Sequence, residues 1–113
     1  MRFLFIDDKG DWLSTMRLSL SSHSDIAYAE CHNLAEAKQA IADYAPEVIF
    51  LDHSLSDRGN EGFEIADQIT GIKIFSTTLN KLLKPNYQER GIEIIDKFDV
   101  KQFEAVIEEW AET

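Results

Sequence analysis

A chain of 113 residues has room for one hydrophobic core, and with 44% hydrophobic and 28% charged residues it reads as a folded globular domain rather than a disordered segment. Its 21 acidic against 11 basic side chains leave a formal charge of −10, which repels phosphate backbones and argues against nucleic acid as a partner. The longest apolar runs are far shorter than a bilayer span, and Asp7-Asp8 cuts the first before it could serve as a signal peptide, so the expectation is a cytoplasmic protein with no membrane partner.

Phe3-Leu4-Phe5-Ile6 opens the chain as a short buried strand and stops at Asp7-Asp8. Gly10-Asp11 then precede Trp12, Leu13, Met16 and Leu20, whose spacing predicts a helix with one apolar face that ends within 21–24. A weaker, partly alternating strand over 25–30 suits a sheet edge. Asn33 with Glu36 makes a capping box for a helix that carries Ala37, Ala40, Ile41 and Tyr44 and closes at Pro46. Val48-Ile49-Phe50-Leu51 has no polar interruption, which is how a strand covered on both faces looks, and it ends on Asp52.

Beyond a polar loop, 62–69 predicts a short third helix broken at Gly71. Ile72-Lys73-Ile74-Phe75 is a fourth strand that runs into Ser76-Thr77-Thr78. The stretch 79–84 is read as about two turns of helix that Pro85-Asn86 interrupt. Ile92-Glu93-Ile94-Ile95 is a fifth strand, alternating as an edge allows, and it ends in Asp96-Lys97. Asp99 and Gln102 form a second capping box ahead of the helical stripe Phe103, Val106, Ile107 and Trp110. Cys31 is the single cysteine; with no cysteine to pair with and no spaced histidine beside it, it reads as a small core filler.

Strands that alternate with helices over so few residues imply right-handed βαβ units and an α/β fold, a parallel sheet with helices on both faces. Residues 1–113 form a single unit in this reading, with no room for an output domain. Such a sheet delivers Asp7, Asp8, Asp52, Ser76, Thr77 and Lys97 to its carboxyl edge, where open α/β sheets bind ligands. Clustered carboxylates repel unless a cation sits among them. Magnesium suits them, since it takes oxygen ligands from one or two carboxylates and keeps room for a phosphate. A lysine and a hydroxyl nearby can hold the remaining phosphoryl oxygens, so the constellation proposes phosphoryl transfer to an aspartate.

The pattern resembles the receiver domain of bacterial two-component response regulators. Phe3-Leu4-Phe5-Ile6-Asp7-Asp8 is similar to that family's opening strand and acidic pair, Val48-Ile49-Phe50-Leu51-Asp52 to its phosphoacceptor strand, Ile74-Phe75-Ser76-Thr77 to its hydroxyl-ended strand, and Ile94-Ile95-Asp96-Lys97 to its lysine strand. The Gly62-Phe63-Glu64 helix start fits the same pattern, and the resemblance spans the whole chain in order. It implies a flavodoxin-like, doubly wound sheet of five strands in the order 2-1-3-4-5. It also implies that Asp52 is the phosphorylated nucleophile, that Asp8 and less directly Asp7 bind magnesium with Asp52, and that the Ser54 main-chain carbonyl is a further ligand. Lys97 would pair with the acids at rest and with the phosphoryl group afterwards, and Ser76, or Thr77 one residue on, would be the hydroxyl that turns toward the phosphate.

The chain departs from the family's pattern in five places, one of them a fourth helix that the Pro85-Asn86 break shortens. Leu55-Ser56 replace Met-Pro after the acceptor, the loop before Gly62 is a residue or two longer, Phe98 replaces the proline after the lysine, and Ile94 stands where the fifth strand usually carries a switch aromatic. His53 is read as a loop residue and the acidic face of the last helix as solvated surface. The function that follows is a stand-alone receiver that takes its phosphoryl group from a histidine kinase or a histidine phosphotransfer protein and signals to a downstream protein. It would be no enzyme beyond magnesium-assisted self-phosphorylation and autodephosphorylation at Asp52. The alternatives are a binding module that no longer depends on phosphorylation and, further off, a magnesium-dependent phosphohydrolase; Ser54 stands where the paired aspartate of the commonest such enzymes belongs.

Overall fold

The computed structural model describes residues 1–8, 10–53, 61–78, 81–96 and 99–111, with the backbone alone at 10–13, 15 and 111. Five strands alternate with five helices: β1 (Arg2–Ile6), α1 (Gly10–Leu20), β2 (Ala27–Cys31), α2 (Leu34–Tyr44), β3 (Val48–Leu51), α3 (Glu61–Gln68), β4 (Lys73–Ser76), α4 (Lys84–Glu89), β5 (Glu93–Ile94) and α5 (Val100–Ala111). Every strand pair is parallel, and the sheet order is β2-β1-β3-β4-β5.

The uninterrupted apolar runs of β1 and β3 have a simple cause. Both strands are central and covered on both faces, so each successive side chain enters a core whichever way it points. Phe3, Phe5, Val48, Phe50 and Phe75 meet Met16 and Leu20 of α1 and Phe103, Val106 and Ile107 of α5 on one face. Leu4, Ile6, Ile49, Leu51 and Ile74 meet Ala37 of α2, Ile65 and Ala66 of α3 and Tyr87 of α4 on the other. Stacked rings run across three adjacent strands, Phe5 to Phe50 at 4.9 Å and Phe50 to Phe75 at 5.4 Å between centroids, with Phe103 edge-on to Phe50 at 5.2 Å.

Both helix caps expected from the sequence are made, with a shifted return bond. Asn33 Oδ1 accepts from the Glu36 N–H at 2.8 Å, and the Glu36 carboxylate takes the N–H of His32 at 3.0 Å. Asp99 Oδ1 likewise accepts from Gln102 N–H at 3.1 Å, and the Gln102 side chain reaches back to Asp96 N–H at 2.9 Å.

The fourth helix corrects the expectation. Pro85 and Asn86 lie inside its first turn and do not interrupt it, so the helix runs over Lys84–Glu89. Proline is compatible with a helix start because the N–H it lacks would have no intrahelical acceptor and its fixed φ already suits the helix. No helix among the described residues is long and apolar enough to cross a membrane.

Candidate functional site

The chain leaves β1 toward β2 on one side and returns to β3 on the other, so a crevice opens beyond the carboxyl ends of β1 and β3. Parallel pairing continues one residue past each strand and pins the site's backbone. The Asp7 N–H donates to Cys31 O at 3.0 Å, Asp52 N–H to Ile6 O at 2.8 Å, Thr77 N–H to Leu51 O at 3.0 Å and Ile95 N–H to Ser76 O at 2.9 Å.

Asp7, Asp8 and Asp52 therefore converge. One carboxylate oxygen from each lies within 4.8 Å of the others, with Asp7 fully buried, Asp52 half-buried and Asp8 exposed. Hard anionic oxygens from three carboxylates at this spacing fit a hard divalent cation such as magnesium, and Asp8 stands on the side open to solvent. His32 closes the β2 side, its Nδ1 being 3.1 Å from the Asp7 main-chain oxygen. Lys97 and Ser54, both expected at this edge, lie outside the described residues, as does Phe98.

The two hydroxyls from the end of β4 have different surroundings. Both Ser76 and Thr77 are fully buried. Ser76 pairs with Ile94 in the β4–β5 register, so the two side chains share the face covered by α4, and its Oγ accepts from Thr78 N–H at 3.4 Å. Thr77 Oγ1 has no hydrogen-bond partner among the described residues.

Sequence reasoning missed Tyr87. It comes from α4, is fully buried, and places its hydroxyl 2.6 Å from His53 Nδ1. Burial raises the phenol's pKa far above the ordinary tyrosine range and the nearby Asp52 carboxylate adds to this, while Arg90 and the neighbouring Ser76 hydroxyl pull the other way. His53, expected as a loop residue, is buried as well, and its ring packs edge-on against Phe63 at 4.6 Å. Tyr87 and Phe63 are 4.7 Å apart, and the Arg90 guanidinium lies 4.3 Å over the Phe63 ring while pairing with Asp67 at 2.7 Å. The missed signal was an aromatic just after a proline-started turn, which reads equally well as an exposed loop residue. Cys31 is the buried filler expected, and burial pushes its thiol up to about 11.

No family model matches the sequence. The chain is 28% identical to the sensory transduction protein LytT of Enterococcus faecalis over 99% of its own length, and it spans about half, 53%, of that relative. Among solved structures, the signal receiver domain of a DNA binding response regulator from Colwellia psychrerythraea superposes with a TM-score of 0.86 at 18% identity, covering 100% of this chain and 99% of that one. The receiver domain of NtrX from Brucella abortus gives 0.79 at 25% identity, with 98% of both chains covered. A two-component response regulator from Clostridium difficile gives 0.80 at 22% identity over 96% of this chain and 93% of that one. The fold is that of response regulator receiver domains, and the similarity extends over the whole chain.

Proposed function

We propose that this chain, built on the receiver fold, accepts a phosphoryl group on Asp52 and passes the change of state to another protein. The observation that carries the reading is the convergence of Asp7, Asp8 and Asp52 within 4.8 Å at the crevice between β1 and β3. A carboxylate oxygen of Asp52 attacks phosphorus, a P–O bond forms, and the bond to the donor breaks with its electron pair. With a phosphohistidine donor that bond is P–N, and the departing imidazole is left neutral once a proton reaches the nitrogen that held phosphorus. Asp7, Asp8 and Asp52, with the Ser54 carbonyl, would hold a magnesium ion whose positive charge offsets that of the phosphoryl oxygens. In this reading Lys97, which follows β5 along the chain, pairs with those oxygens, and Ser76 donates its hydroxyl to one of them. Thr77, buried with no hydrogen-bond partner among the described residues, is the second hydroxyl at that edge.

The donor class is a histidine kinase or a histidine phosphotransfer protein, and the chemistry is confined to gain and loss of the group at Asp52. Phosphorylation replaces the single negative charge of the Asp52 carboxylate with up to two on the phosphoryl oxygens, a net gain of at most one, and biases an equilibrium between surface conformations that a partner reads. The test is to incubate the chain with magnesium and acetyl phosphate and follow intact mass. A phosphoryl adduct that Asp52→Asn abolishes is the expected result. Continuous turnover of phosphate esters would make the protein a hydrolase, and the absence of any adduct would leave a binding module of the same fold.

A further inference from the structure

The α4 helix is six residues long and buries one side chain, Tyr87. That ring inserts on the sheet face where Ser76 and its register partner Ile94 point, and its hydroxyl meets His53, the residue next to Asp52. The Ser76 hydroxyl interacts with the same phenol, and the Asp52 carboxylate lies close enough to act on it through space. The phenolic oxygen thus hydrogen-bonds to His53, the residue that follows Asp52 beyond β3, and lies on the face that Ser76 presents at the end of β4. The Tyr87 main-chain oxygen in turn accepts from Arg90 N–H at 3.0 Å and Ile92 N–H at 3.1 Å, which ties the residue to the approach to β5. Packing around the ring is tight: a Cβ on Gly62 of α3 would land on the Tyr87 hydroxyl and 2.8 Å from His53 Cα.

We infer that Tyr87 is a positioning residue for the site, holding the Ser76 hydroxyl in the unmodified state and transmitting modification of Asp52 to α4 and β5. The inference rests on the assignment of Asp52 as phosphoacceptor. A phosphoryl group on Asp52 offers Ser76 a charged oxygen, a stronger acceptor than a neutral phenol. Once Ser76 turns toward it, the phenol loses a partner that anchors the only buried side chain of α4, and the helix and the strand after it change their packing. Ile94 in β5 offers no hydroxyl or ring to do this, so the task falls to the aromatic that α4 supplies from the same face.

The test uses the full chain labelled with 3-fluorotyrosine at its 3 tyrosines, with fluorine NMR and intact mass read on the same sample as magnesium and acetyl phosphate are added. The Tyr87 resonance is assigned by its loss in Tyr87→Phe, or by elimination with Tyr28→Phe and Tyr44→Phe should the first variant fold poorly. The expected result is that the Tyr87 signal moves in step with the adduct and stays still in Asp52→Asn. In Tyr87→Phe, phosphorylation should no longer alter amide hydrogen exchange across α4 and β5. An adduct that accumulates while the Tyr87 signal stays in place overturns the inference and leaves the Asp52 assignment standing. The same holds if the exchange response survives in Tyr87→Phe. Absence of an adduct overturns both.

Discussion

A side chain at position 62 has nowhere to go. Gly62 N–H donates to His53 O at 2.9 Å, which brings the start of α3 against the backbone that follows Asp52, and Tyr87 closes the remaining space from α4. Gly62→Ala is expected to destabilise the fold by about 2 kcal/mol, within the range for overpacking a filled site. In combination with Tyr87→Phe, which removes the hydroxyl that the new methyl meets, the loss should be smaller than the sum of the two single losses. The rescue is partial because His53 Cα still stands 2.8 Å away. Urea denaturation of the two single variants and the double variant measures this; strict additivity would mean that the ring and the glycine do not share one space.

At the scale of elements, α4 is held by its aromatic insertion and by a surface clamp, Arg90 Nε donating to Asp67 Oδ1 of α3 at 2.7 Å. The hydrogen bond from Arg90 holds the Asp67 carboxyl below the usual carboxylate range. A folded-state pKa below the unfolded one gives stability that is present above the ordinary carboxylate pKa and disappears as pH falls through the depressed value. The pair therefore acts at neutral pH and is lost in acid. Asp67→Asn should lower stability at neutral pH and above by a constant amount, leave stability in strong acid little changed, and so flatten the acid limb of the stability-against-pH profile, as chemical denaturation at a series of pH values would read. Because the pair is exposed, the effect should also shrink at high salt.

The whole molecule carries a formal charge of −10 and gathers three of its carboxylates at one crevice. A divalent ion there would relieve local repulsion and would bind the folded chain alone, because only the sheet order brings Asp7 and Asp8 to Asp52. Magnesium at a hundredfold excess over its Kd should stabilise the fold by about 2.7 kcal/mol, or roughly 10 °C of melting temperature for a chain of this size. A chelator should reverse the gain, sodium chloride at equal ionic strength should not reproduce it, and Asp8→Asn should remove most of it. Without magnesium, Asp8→Asn should be no less stable than the native chain, since it removes one of several like charges. An equal gain from sodium chloride would reduce the effect to screening.

Much of this architecture is legible residue by residue. Val48-Ile49-Phe50-Leu51 and Phe3-Leu4-Phe5-Ile6 carry no polar interruption because both faces of the central strands are buried, and the acids that end them mark the sheet's carboxyl edge. Asn33 with Glu36, and Asp99 with Gln102, announce helix starts because capping is settled within one turn of chain. Tertiary structure alone decided the rest. Pro85 suits a helix start as well as a helix stop, so the extent of α4 depended on what its first turn packs against. The burial of Tyr87 and His53, and the need for glycine at position 62, arise where α3, α4 and two strand ends converge. Local signals reach a few residues along the chain, whereas the destination of a buried ring is set by elements distant in sequence, and the pattern of one helix cannot encode it.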